Sequence, residues 1–200
     1  MAEVEVRGLK LHVQRLGEGG RPVVFLHGLV MDNLSSWYFT VANPVAQQRS
    51  VLLYDLRGHG RSGRPATGYR LEDFVDELLG LLDAEGIERP ALVGHSFGGT
   101  LGIAFALAHP ERVSELVLLD PLTPEAGWGE RMASTLSLSG DDRDAVIAER
   151  FEAWLGRHSE RKRTKLAKNA DALVNGTSLL GDLRASQDWA DFRALQTPVK

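Results

Sequence analysis

Apolar and polar positions along this chain follow two different periods. Four short runs, at residues 22–26, 51–54, 91–93 and 116–119, are apolar at nearly every position. Such runs predict strands buried on both faces, as in a parallel sheet. Between the second and third runs, Leu71, Phe74, Val75, Leu78, Leu79 and Leu82 recur at the spacing of one helical face, while Glu72, Asp73, Asp76 and Glu77 take the other. A second helix is predicted over residues 97–109, stopped by Pro110. Ahead of these elements, residues 4–7 and 9–16 read as a hairpin turning at Gly8, followed by a turn at Gly17-Glu18-Gly19-Gly20. The alternation predicts an α/β core over residues 1–120: a doubly wound, mostly parallel sheet with helices on both faces.

The rhythm changes at Pro121-Leu122-Thr123-Pro124. Amphipathic stretches at 131–138, 142–155 and 161–174, and a short helix at 188–195, predict a helical lid and return helix over residues 121–196. Thr197-Pro198-Val199-Lys200 reads as the start of another core strand, residues 197–200. Trp128, Trp154 and Trp189 fall in the lid with Met132 and Phe151, where they either wall an apolar pocket or pack the lid's own helices. The basic run Arg157, Arg161, Lys162, Arg163, Lys165 and Lys168 fits a solvated helix face better than an anion site, because neighbouring helix positions point apart.

Composition narrows the chemistry. With 43% apolar and 25% charged residues, the 200-residue chain has the make-up of an ordinary globular unit. Lys and Arg number 23 against 27 Asp and Glu, a net charge of −4, which leaves no electrostatic footprint for nucleic acid. The chain has no cysteine, so a thiolate nucleophile, a disulfide framework and a Cys-ligated metal are excluded. No apolar run reaches the ~18 residues that a membrane span needs, and residues 1–10 lack the apolar centre of a secretory signal. A cytoplasmic protein with neither a membrane nor a nucleic-acid partner is expected.

The segment Leu92-Val93-Gly94-His95-Ser96-Phe97-Gly98-Gly99 fits G-x-S-x-G between a predicted strand and a predicted helix. The tight turn needs small flanking residues, and it lifts the Ser96 hydroxyl to the carboxyl edge of the sheet. The helix that opens at Phe97 aims its free N–H groups at the same place. An incidental serine in a glycine-rich turn is the bland alternative, and the strand-to-helix context weighs against it. Phe25-Leu26-His27-Gly28-Leu29 ends the first buried strand. Its Leu29 N–H pairs with the Phe97 N–H as donors to a developing oxyanion.

Together with Tyr54-Asp55-Leu56-Arg57-Gly58-His59-Gly60-Arg61-Ser62-Gly63, these segments resemble the α/β-hydrolase fold family over residues 4–120. The match is nearest its small lid-bearing esterases, lactonases, C–C bond hydrolases and cofactor-free haloperoxidases. The resemblance implies an eight-stranded sheet, a lid after the sixth strand, and a triad in the order Ser, acid, His, with the acid after the seventh strand and the His after the eighth. The chain stops where the seventh strand begins, so the C-terminal strands, acid and His are expected outside it, for instance on a second polypeptide. The implied reaction is hydrolysis of a small ester, thioester or lactone with an apolar acyl part through acyl-Ser96, without cofactor or metal. Ser96 is the expected nucleophile, Leu29 and Phe97 the oxyanion donors, and Asp120, at the end of the sixth strand, a candidate acid or a turn starter before Pro121. His27, Gly28, Phe97, Trp128, Met132 and Trp154 are the expected substrate-binding residues. A non-catalytic ligand-binding or partner module and a C–C hydrolase or haloperoxidase on the same scaffold are the alternatives.

The remaining histidines read as structural: His109 at a helix C-terminus, His158 on the lid surface, His95 packed beside the turn, and His27 and His59 as ordering hydrogen-bond partners. His12 alternates along an early strand with no partner in view. Residues 58–63 spell G-x-G-x-x-G, yet Arg64-Pro65-Ala66-Thr67-Gly68 separates them from the next helix, so no helix N-terminus sits where a pyrophosphate would bind. A sheet ending in a half-written strand exposes an edge, and the 200 residues alone are expected to be poorly soluble unless something covers it.

Overall fold

The structure is a computed structural model that describes residues 2–137, 160–188 and 194–200. Six strands form one mixed sheet in the order β1-β2-β4-β3-β5-β6. β1 (Ala2–Val6) and β2 (Leu9–Leu16) are the hairpin, turning at Arg7 and Gly8, which both have positive φ (52° and 77°) as a type I′ turn requires. β2 runs antiparallel to β4 (Val51–Tyr54), whereas β3 (Val23–Leu26), β4, β5 (Ala91–His95) and β6 (Glu115–Leu119) are parallel. At the far edge Val199 pairs in parallel with Leu116, extending the sheet beyond β6.

Successive strand residues face opposite sides. Val24, Leu26, Leu52, Tyr54 and Leu92 enter the main core beneath two helices, α3 (Leu71–Ala84) and α4 (Phe97–Ala108). Val23, Phe25, Val51, Leu53 and Ala91 face the other side. There a short helical stretch covers them: α1 (Ser35–Trp37), a π-helical turn (Tyr38–Ala42) and α2 (Asn43–Val45). Trp37 docks on Phe25 with ring centroids 5.0 Å apart. Hydrophobic periodicity predicts nothing across residues 35–45, because the stretch is too short to show a repeat. Past it, over β5 and β6, that face is an open apolar trough of about 390 Å³ floored by Val93, Val117 and Leu119.

α3 buries Leu71, Phe74, Val75, Leu78, Leu81 and Leu82. Glu77, expected on its polar face, is instead 1% exposed. Its carboxylate takes the Arg57 Nε–H at 2.9 Å, the kind of pairing a buried charge requires. α4 is apolar all round and buried along most of its length, as suits a helix with neighbours on every side.

Beyond β6 the chain supplies α5 (Trp128–Leu136), α6 (Glu160–Val174) and α7 (Leu179–Ala185), the last unforeseen in the sequence pattern. The predicted helix at 142–155 lies outside the described residues, as does most of the one at 188–195. These helices share the main core: Trp128, Ala133, Leu173, Leu179 and Leu183 are buried in one cluster with Phe97 and Tyr69. Asp182 ties α7 to the entrance of α3, accepting the N–H groups of Gly68 (3.1 Å) and Tyr69 (2.9 Å). Among the described residues no helix is long and apolar enough to cross a membrane.

Candidate active site

Ser96 joins β5 to α4 with φ 51° and ψ −121°, a backbone conformation that L-residues rarely adopt. The flanking glycines make it possible. A Cβ on Gly94 would lie 2.4 Å from the Gly98 carbonyl oxygen, and one on Gly98 would lie 2.2 Å from the Leu26 carbonyl oxygen. The elbow is held to β6 by the Ser96 N–H, which donates to the Leu119 carbonyl at 3.0 Å. Thr100 in the first turns of α4 is buried, and its hydroxyl donates to the Leu122 carbonyl at 2.5 Å, fixing the exit from β6 beside the elbow. Ser96 itself is half-buried.

Phe97 is the first residue of α4, so its N–H has no acceptor within the helix. The Leu29 N–H likewise donates to no other described residue. Its loop is held by bonds on either side of it. Leu56 N–H donates to His27 Nε2 (2.9 Å), so the His27 ring proton lies on Nδ1, which donates to the Gly28 carbonyl (2.7 Å). Val30 N–H donates to His59 Nε2 (2.7 Å), and His59 Nδ1–H in turn donates to the Arg57 carbonyl (2.7 Å). Complete burial pushes the His59 pKa down to about 3, which keeps the ring in this neutral, accepting form. Val30 itself sits at φ 69°, strained for a β-branched residue. Both histidines thus order the loop after β3.

Other expectations change. His12 does have a partner: its Nδ1 lies 2.9 Å from Asp55 Oδ2, and both side chains are buried. Asp55 also accepts the N–H groups of Leu34 and Arg61, each at 2.9 Å. Gly60, at φ 49°, wraps so closely that a Cβ there would lie 2.1 Å from that carboxylate. Gly60 therefore encloses a side chain of the chain itself, Gly58 and Gly63 approach Leu173 and Leu9, and α3 begins only at Leu71. Asp120, one residue past β6, is exposed at φ 46° and sits beside the elbow, since His95 pairs with Leu119. Trp128 is fully buried, its indole N–H donating to the Gln187 carbonyl (3.2 Å) and its ring centroid 6.5 Å from that of Phe97. Met132 packs partly buried against the same cluster. Trp154, Trp189, Phe151 and His158 lie outside the described residues, while Lys165 and Lys168 are exposed.

Sequence reasoning missed Asp32 altogether. Its carboxylate accepts the Gly28 N–H (2.8 Å), the Asn33 N–H (2.8 Å) and the Ser36 hydroxyl, and lies 3.8 Å from His95 Nδ1. Burial alone would raise its pKa, but His95, the Ser36 hydroxyl and the Gly28 N–H hold it down to about 2. The same contact with Asp32 raises the pKa of His95 against a smaller effect of burial, with a further contribution from Asp120. The only signal in the sequence is Asp32-Asn33 ahead of Ser35 and Ser36, a helix-entry composition.

Comparison with known proteins shows the family and the fold. The model of the alpha/beta hydrolase fold family matches residues 21–199. The chain is 34% identical over 166 residues to the 2-hydroxymuconate semialdehyde hydrolase of Pseudomonas sp. (strain CF600), an alignment covering 75% of this chain and 58% of that enzyme. The crystal structure of the enol-lactonase from Burkholderia xenovorans LB400 is 28% identical with a TM-score of 0.68, covering 99% of this chain and 79% of the lactonase. The meta-cleavage product hydrolase from Pseudomonas fluorescens IP01 shares the fold at TM-score 0.74 and 23% identity, over 100% of this chain and 77% of its own. The chain thus spans 58% of the length of that relative.

Proposed function

The chain belongs to the α/β-hydrolase fold family, and on that premise we propose that it is the nucleophile-bearing part of a serine hydrolase that cleaves a small ester, thioester or lactone with an apolar acyl part. The observation that carries the reading is the strained Ser96 backbone at the head of α4, with the uncommitted Phe97 N–H next to it and that of Leu29 on the loop after β3. In the first step a base takes the Ser96 Oγ proton as Oγ adds to the carbonyl carbon, and the carbonyl oxygen becomes an oxyanion held by the two N–H groups. The leaving alcohol, thiol or lactone hydroxyl departs with the proton, and water then hydrolyses acyl-Ser96.

Among the described residues no imidazole is hydrogen-bonded to the Ser96 hydroxyl, so the reading assigns the base to residues outside this set, on the same polypeptide or a second one. Asp120, beside the elbow, is the proposed acid that would orient that imidazole. The reading places the enzyme in the cytoplasm and requires no cofactor. Ser96→Ala tests it: turnover of short-chain p-nitrophenyl and thioester substrates falls to background, while binding of an unreactive analogue persists. Turnover undiminished in Ser96→Ala overturns the assignment.

A second reading is favoured by a specific observation, the 34% identity to a 2-hydroxymuconate semialdehyde hydrolase. It assigns the same elbow to a C–C bond hydrolase of a semialdehyde or dienoate. Parallel assays with a lactone and a meta-cleavage product distinguish the two by which one is turned over.

A further inference from the structure

The two walls of the oxyanion hole come from different parts of the fold. Leu29 belongs to the loop after β3, and Phe97 to the elbow after β5. For both N–H groups to point at one oxygen, loop and elbow must keep a fixed separation, and the geometric tolerance of such a site is small. β3 and β5 are paired as far as Leu26 and Gly94, but the backbone ladder ends there. Something else must hold the next residues.

One carboxylate meets both. Asp32 Oδ2 accepts the N–H of Gly28, the residue before the Leu29 donor, and the same oxygen faces Nδ1 of His95, two residues before the Phe97 donor. At 3.8 Å the second contact is an ion pair, longer than a hydrogen bond. Gly28 lies where they cross: a Cβ there would be 3.2 Å from Asp32 Oδ2 and 3.6 Å from His95 Nδ1. The carboxylate is itself fixed, because its other oxygen takes the Asn33 N–H and the Ser36 hydroxyl at the entrance to α1. Its side chain is only 15% exposed, against 42% for His95. We propose that Asp32 is a positioning residue that clamps the oxyanion loop to the nucleophile elbow through the Gly28 N–H and the His95 imidazole, so that the charge state of His95 sets the alignment of the two oxyanion donors.

The clamp rests on the serine-hydrolase reading for its catalytic consequence but not for its structural one. The ionisable groups facing His95 are Asp32 from the loop and Asp120 from the end of β6. Those facing Asp32 are His95, His27 and the neutral His59. The pKa of His95 is raised, so the ion pair is complete at low pH and is lost as pH rises through that raised value. The clamp therefore loosens on the alkaline side, the opposite of a catalytic imidazole base, which gains activity as pH rises.

The test uses Asp32→Asn, His95→Gln and, as a half-buried control away from the site, Asp76→Asn, each followed by p-nitrophenyl ester hydrolysis and by NMR of the amides and imidazoles. The clamp predicts that Asp32→Asn lowers kcat on the order of tenfold or more with KM little changed, a fraction of the loss of a whole oxyanion donor. It also predicts that the His95 titration midpoint falls, that the Gly28, Leu29 and Phe97 amide resonances move together, and that His95→Gln abolishes the alkaline decline in kcat. A folded Asp32→Asn protein with an unmoved His95 titration and unmoved Leu29 and Phe97 amides overturns the clamp. If Asp32→Asn does not fold, His95→Gln decides: amide shifts reaching Gly28 and Leu29 support the clamp, and shifts confined to residues 94–98 overturn it. Absence of ester hydrolysis in the unaltered protein counts against the serine-hydrolase reading alone, because the NMR comparison still decides the clamp.

Discussion

Single residues carry most of the chemistry here, and they differ in how visible they are in a sequence. Ser96 is legible because its neighbours must be glycine: the 2.4 and 2.2 Å approaches at Gly94 and Gly98 are steric demands, and steric demands leave a pattern. Asp32, Asp55 and His12 leave none. A carboxylate in a polar loop looks the same whether it is solvated or collects two backbone N–H bonds, as Asp55 does with a buried histidine beside it. His59 yields a prediction at this scale. Its folded pKa of about 3 lies below the 6.5 of an unfolded histidine, so between those values the unfolded chain binds the extra proton. Stability is complete above about pH 6.5 and falls by up to about 1.4 kcal/mol per pH unit as pH drops toward 3. Urea midpoints measured from pH 7.5 down to 4 record that slope, which flattens in His59→Gln. An equal slope in the variant means that His59 is not the group responsible.

At the scale of elements, the long amphipathic helix and the four apolar strands were readable because burial on one or both faces writes a period into the chain. α3 follows its stripe closely except at Glu77, which Arg57 draws inside. The stretch 35–45 escaped because two three-residue helices flank a π turn, and such pieces are defined by contacts such as Trp37 on Phe25. α7 escaped because its seven residues bury only Leu179 and Leu183, too few to show a stripe. What fixes α7 is its close approach to α5, where a Cβ on Gly129 would come 2.0 Å from the Leu183 carbonyl oxygen. Backbone cannot yield as a side-chain tip does, so Gly129→Ala must push the two helices apart. The expected cost is about 1–3 kcal/mol, read as a lower urea midpoint with the β-sheet signal intact. An unchanged midpoint means that α5 and α7 do not pack as described.

For the molecule as a whole, the order of strands and helices sufficed to name the family, because the elbow, the loop after β3 and the 54–63 turn stand at the right places between them. The triad was less legible. Its acid and base are proposals, and the described residues place Ser96 at the head of α4, Phe97 next to it and Asp120 one residue past β6, without an imidazole hydrogen-bonded to the serine hydroxyl. The apolar trough on the far sheet face, floored by Val93, Val117 and Leu119, lies on the opposite side from α4. The central claim is that Ser96, with the Leu29 and Phe97 N–H groups, accepts an acyl group. It is tested most directly by incubating the protein with an activated ester, trapping the product in acid and locating the adduct by peptide mass spectrometry. A single acyl group on the peptide containing Ser96, absent from Ser96→Ala, is the predicted result. Acylation spread over surface lysines, or undiminished in Ser96→Ala, contradicts it.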